Sequence, residues 1–245
     1  MTLRRLLRRT TVSGLAAGIV SLLLGRGNAS ARDDSPLQVR EGIETVSLPP
    51  PETDGDVAVE RAIANRRSRR EYAATPITRR ELSQLLWAVQ GITDPESGYR
   101  AAPSAGARYP LEVYVVVGDP GVDGLDAGVY RYRPEPHDLA LSARGNVQAE
   151  LRAAAVGQEP VGRAAIDVVI CAVDERTTRE YGERGRLRYV PMEAGHVGEN
   201  LYLQAEALDL STVAIGSFRD RRVRTLVDAS PDCRPLYIYP VGARA

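Results

Sequence analysis

Leu111-Glu112-Val113-Tyr114-Val115-Val116-Val117, set between Pro110 and Gly118, is a nearly continuous apolar run rich in β-branched residues. Its length and composition suit a buried strand. Downstream, Val129-Tyr130-Arg131-Tyr132-Arg133 alternates in period two and predicts a half-exposed strand pairing with the first. Residues 165–173 give a second buried strand, and 212–215 and 236–241 the last two. Helices are predicted over 57–65, 147–156, 192–208 and 220–227. Another opens at Thr78-Arg79-Arg80-Glu81, a capping box, carries Leu82, Leu85, Leu86 and Val89 on one face, and ends at Gly91. Strands and helices mix without strict β-α-β alternation, so the class is α+β or a mixed three-layer sandwich.

Composition narrows the function. The 245 residues hold 32 basic and 32 acidic side chains, and residues 1–31 contain five Arg and no acid, so the rest is acidic by five. General nucleic-acid binding, which rests on cationic neutralisation of phosphates, is disfavoured. Two Cys and two His leave little for a disulfide scaffold or a metal cluster, so no metal site is expected. No Lys occurs anywhere, which excludes a Schiff-base lysine and a P-loop lysine together.

Residues 1–31 read as a signal peptide: an Arg-rich start, an apolar run of about 13 residues over 12–24, too short to span a bilayer comfortably, and Ala29-Ser30-Ala31 before a charged stretch. Arg8-Arg9 ahead of the apolar run resembles a twin-arginine signal, although Thr11-Val12 stands where a bulky apolar pair is usual. The expectation is an exported protein, meeting the membrane only through this segment, with cytoplasmic residence the alternative. Residues 32–56, with Pro36, Pro49, Pro50 and Pro51, read as a linker or surface arm, and 57–245 as one domain.

Four segments carry possible chemistry. In Arg66-Arg67-Ser68-Arg69-Arg70, an extended backbone would project Arg66, Ser68 and Arg70 to one side, two guanidiniums and a hydroxyl suited to a phosphate; a solvated helix end is the plain alternative. The small residues and Pro-Ser turn of 101–110 allow a flat ligand close to the backbone and to Ser104, or simply make a tight entry loop. On the long helix, Ala194, Gly195 and Gly198 form a small face, for helix packing or the approach of another backbone. Ala214-Ile215-Gly216-Ser217-Phe218 ends a strand where backbone groups could face a ring system.

Taken in order, Arg-x-Ser-x-Arg, the Pro-Ser-Ala-Gly loop, Glu193-Ala194-Gly195-His196, Ile-Gly and the C-terminal Pro-Val-Gly-x-Arg resemble the nitroreductase family of FMN-dependent oxidoreductases. The stretches 84–92 (Gln-Leu-Leu-Trp-Ala-Val-Gln-Gly-Ile), 102–110 and 193–196 resemble its SagB-type dehydrogenase branch, and the likeness covers roughly 57–244. It implies a three-layer α/β/α sandwich with a mixed, largely antiparallel sheet, assembled as a homodimer with FMN sites between subunits. It assigns Arg66, Ser68, Arg70 and Arg244 to the phosphate, Ile215 and Gly216 to the ring, and Pro103, Ser104 and Ala105 to the ring from the second subunit.

The implied activity is hydride transfer through flavin to or from a small organic substrate, with reduced nicotinamide, NAD(P)H, or another donor. Azoline-oxidising members of the branch carry a Lys-Tyr pair upstream of the Glu-Ala-Gly-His helix, where this chain has Glu180-Tyr181. A carboxylate supplies no cation, though Tyr181 can exchange a proton and is the one catalytic candidate. Azoline or thiazoline dehydrogenation in modified-peptide synthesis, and flavin binding without turnover, are the alternatives.

Overall fold

A computed structural model describes residues 44–245. The signal segment 1–31, with Arg8-Arg9, and the arm as far as residue 43 lie outside the described residues. In chain order the elements are β1 (Thr45–Ser47), α1 (Val59–Asn65), α2 (Arg79–Gln90), β2 (Ile92–Asp94), β3 (Tyr99–Arg100), β4 (Leu111–Val117), β5 (Gly128–Arg133), β6 (Asp138–Arg144), α3 (Gln148–Ala154), β7 (Ile166–Val173), α4 (Glu175–Arg184), α5 (Val190–Ala207), β8 (Leu210–Thr212), α6 (Asp220–Leu226) and β9 (Cys233–Ala243).

Seven strands form one sheet in the order β1-β6-β5-β4-β7-β9-β8, and each neighbouring pair is antiparallel. All of β4 is buried because helices cover both faces of the sheet there. Val113, Val115 and Val117 point to one layer, joining Leu82, Leu85, Leu86 and Val89 of α2 and Val190, Ala194, Val197 and Leu201 of α5. Tyr114 and Val116 point the other way, onto Leu151 and Ala154 of α3 and Val223 of α6. The α/β/α sandwich is thus built by period-two alternation along the central strands.

Helix α2 begins as expected: the Thr78 side chain accepts from Glu81 N, and the Glu81 side chain accepts from Thr78 N. Five elements are absent from the sequence expectation: β1, the β2–β3 pair, β6 and α4. Strand β6 pairs along the whole of β5 after the Pro134–His137 turn, and its signal was the alternation of Leu139 and Leu141. Helix α4 is polar on every side, Thr177 being its one buried residue, so it carries no apolar period. Ion pairs fasten it instead: Arg234 of β9 bonds Asp174 at 2.8 and 2.9 Å, and Arg176 bonds the buried Glu112 of β4.

The arm expected over 32–56 is, from Thr45 on, part of the body. Thr45–Ser47 pairs with β6 at the sheet edge, and Leu48 is buried. Ser83 Oγ donates to Pro49 O at 2.6 Å, and Glu52 N donates to Gln84 Oε1 at 2.8 Å.

Candidate functional site

After Asn65 the chain leaves α1 in extended conformation and crosses the C-terminal half of α5. Ser68 Oγ lies 2.9 Å from the Tyr202 hydroxyl, and the Arg66 guanidinium sits 5.1 Å from the centre of the same ring. The Ala214 amide donates to the Tyr202 oxygen at 2.7 Å. The Tyr202 oxygen thus accepts from Ala214 and shares a hydrogen bond with the exposed Ser68 hydroxyl, which keeps capacity for a further partner.

Arg69 turns inward, its guanidinium on Glu206 at 2.8 Å and its amide on Thr212 O at 2.9 Å. Arg244 shares that carboxylate at 3.0 Å, reaches Asp209 at 2.7 Å, and has a buried Nε with no partner. It arrives through a bridge with Tyr72 at the end of β9. Arg67 folds back onto the carbonyls of Ala64 and Arg66. Arg70 is exposed two residues beyond Ser68. The five guanidiniums of Arg66, Arg67, Arg69, Arg70 and Arg244 outnumber the four carboxylates of Glu71, Glu199, Glu206 and Asp209, leaving a cationic patch.

Ile215 follows Ala214, whose amide reaches Tyr202; its backbone bridges Ile238 and its side chain is buried in the layer of α3 and α6. Gly216 beyond it is exposed, and a Cβ there would touch only Tyr237 Cε1, at 3.9 Å. The backbone is open to a flat ligand at that point.

The Pro103-Ser104-Ala105 loop lies elsewhere. Ser104 Oγ accepts from Tyr109 N at 2.9 Å and closes a 3-10 turn over Ala105–Ala107. The Arg100 guanidinium lies 4.5 Å from the centre of the Tyr109 ring. An opening of about 600 Å³ runs along the loop, lined by Tyr99, Arg100, Pro103, Ser104, Gly106 and Tyr109 among others, within the range of small-ligand sites. Under the loop is Glu193 of α5. Burial pushes its carboxyl up to about 7, against smaller downward pulls from Ser104, Gln90 and Arg100.

Tyr181 stands over the same loop. Its hydroxyl is packed on Gly106, where an added Cβ would come within 2.6 Å of it, and Gly106 also has φ +60°. Desolvation, then the bond to Glu180, hold the Tyr181 phenol above its ordinary value, while Arg108 pulls it down. Arg108 Nε donates to Glu180 at 2.6 Å. The Glu180-Tyr181 pair therefore does carry a cation beside it, brought by the loop rather than by the neighbouring residue. Arg108 stood in the segment singled out from the sequence, but nothing local linked it to residue 180.

Within one chain these regions stay apart. Glu193 and Tyr202 are nine residues apart on α5, roughly 13 Å along the axis. The small face of α5 also divides. Ala194 and Gly198 face the body, and a Cβ on Gly198 would meet the Tyr239 hydroxyl at 2.0 Å, whereas Gly195 is exposed with nothing within 4 Å. The expectation that Ala194, Gly195 and Gly198 form one small face is corrected: β9 of the same chain packs on Gly198, and Gly195 faces outward.

The family model for the nitroreductase family matches residues 63–243. A Methanocaldococcus jannaschii protein provisionally named a nitroreductase is 44% identical over 201 residues, covering 82% of this chain and 98% of that one. The microcin B17-processing protein of Escherichia coli is 31% identical over 147 residues, which are 59% of this chain and 54% of that protein. A solved structure from Ralstonia eutropha, again provisionally named a nitroreductase, superposes with a TM-score of 0.71 at 28% identity, covering 82% of this chain and 90% of that one.

Proposed function

The chain belongs to the nitroreductase family, and on that premise we propose that it is an FMN-dependent oxidoreductase working as a homodimer. The observation that carries the reading is the cationic patch: the exposed Ser68 hydroxyl, the unpartnered Nε of Arg244 and the guanidiniums around Tyr202 fit a phosphate dianion. Arg66, Ser68, Arg70 and Arg244 would hold that phosphate, and the open backbone at Ile215-Gly216 would take the ring. The family resemblance implies that the Pro103-Ser104-Ala105 loop of a second copy would cover the ring, and the roughly 13 Å along α5 between that loop and the patch is compatible with this arrangement.

Bound FMN supplies hydride exchange between a donor such as NAD(P)H and a small organic acceptor. The chain's own share is positioning and electrostatics. The arginines fix the phosphate end, the loop covers the ring end and sheds water from it, and Tyr181 holds a proton at its phenolic oxygen beside Arg108.

Removing the phosphate contacts tests the assignment. Charge-assisted bonds contribute roughly 1.5–3 kcal/mol each, so Arg66→Ala and Arg70→Ala should each weaken FMN binding on the order of ten- to a hundredfold in a fluorescence titration. An unchanged dissociation constant in the double variant contradicts it.

A second reading, azoline oxidation on a modified peptide, is supported by the Arg108–Glu180–Tyr181 cluster and by the likeness to the microcin B17-processing protein. Oxidation of a thiazoline-containing peptide by the FMN-loaded protein separates the two.

A further inference from the structure

Glu193 has no task in the reading above, although it lies directly beneath Ser104 with 3% of its surface exposed. Three elements face it: the loop presents Ser104, α2 presents Gln90, and β3 presents Arg100, the charged member of the three. On its own helix His196 and Glu199 are exposed. Arg100 divides its charge, donating to Gln90 Oε1 at 3.0 Å and pairing with Glu135 at 3.4 Å. Glu193 Oε1 and Gln90 Nε2 are both buried without a well-formed hydrogen bond. A buried carboxyl so poorly partnered is costly, and an apolar side chain would fill the place without that cost.

Ser104 has one fixed obligation, the bond it accepts from Tyr109 N. A hydroxyl carries one donor and two acceptor sites, so a lone pair and the hydrogen remain. These are what it can offer to the Glu193 carboxyl beneath it and to the opening above.

We propose that Glu193 is a positioning residue that sets which of the two, hydrogen or lone pair, Ser104 presents to a ligand lying along the loop. When Glu193 is ionised, Ser104 donates to it and turns a lone pair outward. When Glu193 has taken a proton from solvent, it donates to Ser104 Oγ, and the serine hydrogen points into the opening. Burial pushes the carboxyl up to about 7, which brings this exchange toward neutrality. The proposal rests on the flavin reading only for the identity of the ligand. The isoalloxazine edge offers more acceptors than donors, so FMN should prefer the outward hydrogen and bind more tightly on the acid side.

The Tyr109 amide, which donates to Ser104, reports the switch without any ligand. In flavin-free, isotopically labelled protein its resonance should move with pH in one step centred near 7. The step should vanish in Glu193→Gln and in Ser104→Ala, and remain in Asp167→Asn, which alters the buried acid on the opposite face of the sheet. A step that survives Glu193→Gln, or no step in the parent, overturns the proposal. In a second arm, the FMN dissociation constant of the parent, taken relative to Glu193→Gln so that titration of the FMN phosphate cancels, should rise about three- to tenfold across the step. A flat ratio overturns the effect on the ligand. Failure of FMN to bind at any pH, with the Tyr109 step intact, removes the flavin reading and leaves the Glu193 assignment standing.

Discussion

Asp167 and Glu193 sit on opposite sides of the sheet, and burial pushes each carboxyl up to about 7. Their unfolded values lie near 4, so between about pH 4 and 7 the folded chain holds more protons than the unfolded one, and stability falls as pH rises through that window. His137 works in the opposite sense. Burial holds it below 6.5 among Ser83, Pro49 and Tyr132, so its contribution is lost as pH falls. Comparing the parent with Asp167→Asn/Glu193→Gln isolates the acids. Urea unfolding from pH 5 to pH 8 should show the parent losing on the order of a few kcal/mol that the double variant does not lose. Identical slopes would contradict the raised values. At this scale the sequence was legible where spacing carries the chemistry, as in Arg66-x-Ser68, whose two side chains meet Tyr202. It was not legible for Arg108 and Glu193, whose roles depend on partners 72 residues away in one case and on burial in the other.

Gly198 shows what elements add to residues. Three small side chains on one helix look like a single face, yet α5 turns Gly198 onto Tyr239 of β9 and Gly195 to the outside. Gly198→Ala should lower the unfolding free energy by about 1–3 kcal/mol through overpacking. Gly195→Ala, with open space around it, should be neutral or gain up to about 1 kcal/mol from helix propensity. Thermal unfolding of the two variants separates them, and equal destabilisation would refute the division of the face. Elements with a strong apolar period, such as β4, β7, α2 and α5, were readable because the same burial that stabilises them writes their pattern. Helix α4 was not, since ion pairs from Arg176 and Arg234 hold a polar segment that has no pattern to read.

At the scale of the molecule, the antiparallel sheet with two helices buried on each face places the cationic patch and the Pro103-Ser104-Ala105 loop near opposite ends of α5. In the assembly we propose these would be two half-sites, the patch of one copy meeting the loop of another. A ligand held between subunits stabilises only the assembled state, so flavin retention and assembly should rise together. The order of the motifs made the family legible from sequence, but the distance between half-sites is a property of the folded helix and no local stretch records it. The central claim is that this chain binds FMN and reduces it. The visible spectrum of the protein, mixed with FMN, passed through gel filtration and then treated anaerobically with NADH or NADPH, tests that claim most directly. The account predicts a flavin band at one FMN per chain that bleaches on addition of the donor; protein that leaves the column colourless, or a band that no donor bleaches, contradicts it.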